Sequence, residues 1–180
     1  METTIGNRKL GRDTAIVNFT SAMDCPSKKL GFCAHCKICY AMKAERQYPA
    51  VLPFRRRQAM QWQSESVGSI KAGIVKHKKV KFVRFSEAGD FKDQDNVNKL
   101  SALARIMPDY TIYGYTARKD LNFKHMPDNV VVQGSGFKVH NTFTVVDKYT
   151  PGAYYTCPGD CRKCSLCKVR TGVTIEVEKH

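Results

Sequence analysis

The period of apolar and polar residues changes repeatedly along the chain, and each change predicts an element. TAIVNFTS, Thr14 to Ser21, is rich in strand formers and runs straight into a cysteine-rich stretch. From Tyr40 to Ser64 the period is helical, with a break near Pro49 and Pro53. Pro53 suits an early helical position, and Phe54, Ala59, Met60 and Trp62 supply apolar residues. SVGSIKAGIVKHK predicts a second helix, with Val67, Ile70, Ile74 and Val75 at helical spacing. KVKFVRFSEAG predicts a strand that groups Val80, Phe82 and Phe85 and puts Val83 on the other face. Asp93 to Met107 predicts a third helix, whose stripe is Val97, Leu100, Leu103, Ala104 and Met107. YTIYGYTA, NVVVQGSG and NTFTVVDK predict further strands, the last two joined by a glycine-containing connection, and GVTIEVE predicts a closing edge strand.

Strands alternating with helices imply parallel βαβ units, with right-handed crossovers that put the helices outside the sheet. About five strands precede the C-terminal cysteines, fewer than the eight of a closed (β/α) barrel. The expected fold is therefore α/β: a partial (β/α) barrel or an open, mostly parallel sheet, as one domain over residues 1–180. Cysteine-rich metal sites are expected near both ends, at 25–39 and 157–167.

CPSKKLGFCAHCKIC and CPGDCRKCSLC hold all eight cysteines, and each reads Cys-Pro, a spacer, then Cys-x-x-Cys-x-x-Cys. Zinc sites typically use two separated Cys-x-x-Cys pairs. Three cysteines at successive three-residue steps instead wrap the chain around one larger object, as in the bacterial ferredoxin run. The expected ligands are Cys25, Cys33, Cys36 and Cys39 in one set, and Cys157, Cys161, Cys164 and Cys167 in the other. One or two [4Fe-4S] clusters are the expected cofactors, with zinc the alternative. His35, inside the first set, reads as a solvated neighbour rather than a ligand. Cys157, Cys161 and Cys164 also have the spacing of the triplet that cleaves S-adenosylmethionine, in which the fourth iron stays open to the cosubstrate. Cys167 supplies a fourth thiolate that would close it.

The apolar fraction of 42% suits a soluble globular chain. The N-terminus lacks the apolar stretch of a secretory signal, and no apolar run is long enough to span a bilayer. A reducing compartment is the expectation, and there clustered cysteines bind metal rather than pair. The formal charge of +14 points to a polyanionic partner such as nucleic acid, although two loaded tetrathiolate sites would reduce it. Arg55, Arg56 and Arg57 form one basic patch, and KHKKVK, Lys76 to Lys81, enters a strand from its amino end. Each reads either as a solvated face or as a contact for nucleic acid.

Ligand sites in parallel α/β proteins gather at the carboxyl ends of strands. SEAGDF offers Glu87 and Asp90 there; YGYTARKDL offers Tyr115, Thr116, Arg118 and Lys119; QGSGF offers Ser135 between two glycines. Glu87, Asp90 and Arg118 are the candidates for chemistry, and Tyr115 and Ser135 for holding a cofactor. The bland alternatives are helix capping, ion pairing and turn formation. No Walker loop, dinucleotide glycine fingerprint, Gly-x-Ser-x-Gly elbow or zinc-protease helix is present.

CYA (Cys39 to Ala41), SEAGDF, YGYTAR and the terminal cysteines together resemble the phage "gene product eighty-eight" family, over most of the chain from Cys25 to Cys167. The resemblance implies a bacteriophage or prophage origin and action in the host bacterial cytoplasm. It also implies kinship with radical S-adenosylmethionine barrels. Independently of the resemblance, the strand-end residues carry the expectation that, if the chain is an enzyme, one cluster reduces S-adenosylmethionine, Glu87 and Asp90 help to hold it, and the second cluster binds substrate or relays electrons. The competing expectation is a non-catalytic basic module, stapled by metal, that binds nucleic acid or a host protein.

Overall fold

A computed structural model describes residues 1–152 and 155–179. One eight-stranded sheet has the order β1-β2-β3-β4-β5-β6-β8-β7. The strands are β1 (Thr4–Ile5), β2 (Thr14–Val17), β3 (Phe82–Phe85), β4 (Thr111–Thr116), β5 (Val130–Ser135), β6 (Asn141–Val146), β7 (Tyr155–Thr156) and β8 (Thr174–Glu178). Every pairing is parallel except that of β1 with β2. From β2 to β6 neighbouring strands follow chain order, as in a segment of a (β/α) barrel, and the sheet does not close.

The chain between β2 and β3 carries helices α1 (Pro26–Lys29), α2 (Tyr40–Gln47), α3 (Val51–Ser64) and α4 (Val67–Val75), and α5 (Gln94–Arg105) connects β3 to β4. The break near Pro49 separates α2 from α3. Ser66 caps α4 by accepting from Ser69 N, and Asp93 caps α5 by accepting from Asn96 N at 3.0 Å. All five stripe residues predicted for α5 are buried. They pack with Trp62, Ile70 and Ile74 against Ala15, Val17, Val83, Phe85, Ile112, Val130 and Val132, which form the helix-covered face of the sheet. Phe19, Trp62, Phe85 and Phe91 stack at its centre, with Phe19 and Trp62 ring centroids 4.3 Å apart.

Two sequence expectations need correction. Phe85 shares a face with Val83, not with Phe82, because pairing begins only at Phe82 and residues two apart share a face. GVTIEVE is not an edge strand: β8 lies between β6 and β7, which forms the edge. The connection from β5 to β6 is unusually short for a parallel pair. Glycine permits it, since a Cβ on Gly134 would collide with the Phe137 carbonyl and Gly136 has φ +78°.

The face opposite the helices carries Arg84, Tyr113, Tyr115 and Gln133. Strand alternation places them there, and the segment Cys157 to Val169 covers them. No helix among the described residues is long and apolar enough to cross a membrane.

Candidate metal centres

The first cysteine set follows β2 at the carboxyl edge of the sheet. Cys25 precedes α1, whose first residue is Pro26. The Ser27 carbonyl accepts from both Phe32 N and Cys33 N, folding the loop back so that Cys33 returns toward Cys25. Cys36 opens a 3-10 turn, and Cys39 directly precedes α2. Burial pushes the Cys25 thiol up to about 11. Burial, and then the neighbouring Cys36 sulfur, does the same for Cys33. A bound cation reverses that preference by stabilising thiolate.

Buried Glu45 of α2 holds this loop from behind. Its carboxylate accepts from Ala22 N and Met23 N at 2.7 and 2.8 Å and pairs with Arg55 at 3.1 Å. Asn18 and Gln58 extend the network: Asn18 donates to Gln58 and accepts from Ala88 N, so β2, α3 and the SEAG loop share one buried frame. Ala22, Ala41, Met42 and Ala88 form a small apolar cluster beneath it. The sequence does not single out Glu45, Asn18 or Gln58, because each looks there like an ordinary polar residue. The one signal it carries is the proximity of Glu45 and Arg55, ten positions apart.

Two predicted site residues stand beside this set. Glu87 accepts from Asn7 Nδ2 at 2.8 Å and faces Arg55 at 3.5 Å, while its backbone carbonyl accepts from the Tyr40 hydroxyl one residue after Cys39. Its carboxylate keeps about a quarter of its exposure. Asp90 is buried and accepts four bonds, from Ser27 Oγ, Phe91 N, Thr116 Oγ1 and Ala117 N. Burial raises its pKa and those bonds oppose the rise. With all four acceptor positions filled, Asp90 ties the Cys25 turn to the ends of β3 and β4. A Cβ on Gly89 would strike Thr20, so glycine is what lets this loop lie against the end of β2.

Arg118 is not part of this group. It pairs through two nitrogens with Asp120 and donates to the carbonyls of Phe91 and Lys92, bracing the loop before α5. Ser135 ends β5 opposite Phe143. Tyr115 belongs to the other cysteine set, donating its hydroxyl to Cys167 Sγ at 2.9 Å.

Cys157, Cys161, Cys164 and Cys167 line one cavity of about 20 Å³, together with Tyr113, Pro158, Asp160 and Lys168. A space of that size holds one water-sized atom. Gln133 donates to the Cys167 carbonyl, and Asn141 donates to the Val169 carbonyl, which moors the segment to β5 and β6. Burial pushes Cys167 up to about 11, opposed by the Tyr115 hydrogen bond and by Arg84. All eight cysteines are free thiols, half-buried. Among the described residues no group of three or more Cys, His, Asp or Glu side chains is closed in a metal-holding arrangement. The four sulfurs around one cavity are nonetheless a donor set that suits a thiophilic metal.

The arginine patch differs from its sequence reading. Arg55 is buried on Glu45, Arg56 pairs with Asp24 at 2.8 Å, and Arg57 pairs with Glu2 at 3.3 Å. Three adjacent cations are thus matched by three carboxylates.

Fold and site define an α/β protein with a mostly parallel, largely sequential sheet and two four-cysteine loops, one at its carboxyl edge and one across the face opposite the α-helices. Within that class the chain belongs to the Gene product 88 family of phage proteins, whose family model matches residues 1–153. The match includes the first cysteine set, SEAGDF and YGYTAR and ends before Cys157, so its reach is shorter at the C-terminus than the sequence resemblance implied. No curated protein and no solved structure matches the chain.

Proposed function

We propose that this is an iron–sulfur protein in which the first cysteine set is the working centre and the second is a closed seat. The observation that carries the reading is position. Cys25, Cys33, Cys36 and Cys39 stand at the carboxyl edge of consecutively ordered parallel strands, beside the partly exposed Glu87. That is where α/β sheets hold reactive ligands. The family match covering this set, and not the other, supports the same division.

A [4Fe-4S] cluster there would be held by Cys25, Cys33, Cys36 and Cys39 and would supply single electrons; cleavage of S-adenosylmethionine would further require one of the four sulfurs to leave an iron free for the cosubstrate. Glu87 is the carboxylate available to orient a cationic amino group. Asp90, fully bonded, positions the Cys25 turn instead. Arg55, at 3.5 Å, and Asn7, at 2.8 Å, contact the Glu87 carboxylate.

The test is anaerobic purification with iron, sulfide and zinc analysis and a visible spectrum, followed by dithionite reduction in the presence of S-adenosylmethionine. Iron with matching sulfide, lost in Cys33→Ala, and formation of 5′-deoxyadenosine are expected. A colourless protein holding two zinc ions would overturn the reading. A second reading, contact with nucleic acid, is favoured by exposed Lys76, Lys78, Lys79 and Lys81 at the amino edge of β3, none of which has a carboxylate partner among the described residues.

A further inference from the structure

Among the described residues, four buried side-chain atoms have no hydrogen-bond partner: Arg84 Nε, Ser86 Oγ, Tyr113 OH and Gln133 Oε1. Arg84, Tyr113 and Gln133 stand on adjacent strands, on the face that the second cysteine set covers. Among the described residues Arg84 makes no ion pair. Its guanidinium carbon lies 3.9 Å from the Tyr115 ring centroid and 5.6 Å from that of Tyr113. The Tyr115 hydroxyl in turn donates to Cys167 Sγ. Lys168 Nζ lies 3.9 Å from the Phe82 ring centroid, donates to the Cys161 carbonyl at 3.3 Å, and lines the cavity.

Arg84 and Lys168 are half-buried, and of the Arg84 nitrogens only Nε is cut off from solvent without a partner; a partly desolvated cation without a counter-charge still carries a cost. The carboxylate lining this cavity cannot serve, because Asp160 is pinned in a two-nitrogen pair with Arg162. Two positive charges, Arg84 and Lys168, therefore remain beside four cysteines. Four thiolates around one divalent ion such as Zn²⁺, the size of centre that this space admits, carry a net charge of about −2.

We propose that Arg84 and Lys168 are the counter-cations of a dianionic metal–tetrathiolate centre at Cys157, Cys161, Cys164 and Cys167, with Arg84 its main electrostatic support. The inference rests on the reading of that set as a metal seat. It explains why a sheet face covered by a cysteine loop rather than by α-helices carries an arginine stacked on tyrosine rings with no carboxylate partner among the described residues. It also sets the two cysteine sets apart, since Arg55 beside the first is already neutralised by Glu45 and Glu87. Arg84 does not touch the metal in this arrangement; it acts through the field and through the Tyr115 hydrogen bond, as a positioning residue.

Cobalt(II) is the probe. The full-length wild type and Cys161→Ala are titrated under reducing conditions, and the thiolate-to-cobalt absorption lost in Cys161→Ala is assigned to the second set. Arg84→Gln should weaken that absorption's binding constant by roughly 10- to 100-fold, the scale of outer-shell effects on metal sites, and Arg84→Lys should recover part of it. Melting temperatures supply a second readout. Arg84→Gln should melt no lower than wild type without metal, where the cation is unpaired, and lower than wild type with cobalt bound. Unchanged affinity in Arg84→Gln, or equal destabilisation with and without metal, would leave only ring stacking and overturn the proposal. Wild-type protein with no cobalt–thiolate absorption from the second set would overturn the metal seat itself and the counter-cations with it.

Discussion

Asn141 illustrates how much one buried amide can hold. Its Oδ1 accepts from Thr171 N, Thr171 Oγ1 and Gly172 N, and its Nδ2 donates to the Val169 carbonyl, so a single side chain anchors the chain leaving the second cysteine set. Asn141→Ala strands these groups, and a loss of about 3 kcal/mol in denaturant unfolding is expected, given about 1–3 kcal/mol for each buried group left unsatisfied, offset by water entry. Next to it, His140 Nδ1 accepts from Val132 N at 3.0 Å, and burial, with Arg170 adding to it, lowers the His140 pKa from 6.5 to about 4. The unfolded chain then binds the proton more readily than the folded one, so the contribution of His140 is full above pH 6.5 and falls as pH drops toward 4. Unfolding midpoints measured across that window should decline in wild type and decline less in His140→Gln, which can still accept the Val132 bond. An identical slope in both would remove His140 from the account. Neither role is legible in HNTF, because hydrogen bonds made thirty residues away leave no local periodicity. Tyr115 could be placed near the end of its strand from the sequence, but the hydroxyl's target at Cys167, on the second set rather than the first, could not.

At the scale of elements, helices were legible and frames were not. The stripe of α5 could be read because packing on the core every three or four residues imposes a period on the sequence. The α2–α3 break could be read because proline announces itself. Arg55 could not, since it sits in a run of three arginines and only packing distinguishes the buried one. The parallel β5–β6 pair was also hidden, because a short glycine connection ordinarily joins antiparallel strands. The Glu45–Arg55 pair makes the difference testable. Glu45→Ala leaves buried Arg55 with only the longer contact to Glu87 and the Ala41 carbonyl, and releases Ala22 N and Met23 N, so a loss of about 3 kcal/mol is expected, the lower end for breaking a buried pair. Arg56→Ala, removing an exposed pair with Asp24, should cost no more than about 1 kcal/mol. Thermal or denaturant unfolding of both variants checks this, and equal losses would mean that the frame carries no special weight. Because Glu45 grips the residues before Cys25, metal uptake by the first set should fall with it while the second set keeps its metal.

Basic residues accompany both cysteine sets, Lys28, Lys29 and Lys37 in the first and Arg162, Lys163 and Lys168 in the second, but one cluster of lysines stands apart from them. With the arginine triplet neutralised, part of the +14 surplus sits on Lys76, Lys78, Lys79 and Lys81, exposed where the chain enters β3. Parallel strands have distinct ends, so this lysine edge lies opposite the edge that carries the first cysteine set and Glu87. A polyanion bound at the amino edge would thus leave the carboxyl edge open, and the two activities should be separable by mutation. Lys78→Glu/Lys79→Glu/Lys81→Glu should weaken binding to duplex DNA. It should also flatten the plot of log K against log salt, by roughly 0.9 for each phosphate no longer neutralised, and so by about 2.7 if each of the three lysines neutralises one. Metal content should be unchanged. Cys33→Ala should do the reverse, losing metal from the first set while keeping the salt slope. Fluorescence anisotropy over a salt series, with metal analysis on the same samples, reads both quantities. Wild-type binding with no salt dependence, or a triple variant with the wild-type slope, would mean that the lysine edge is only a solvated face, and the positive surplus would then serve solubility rather than recognition.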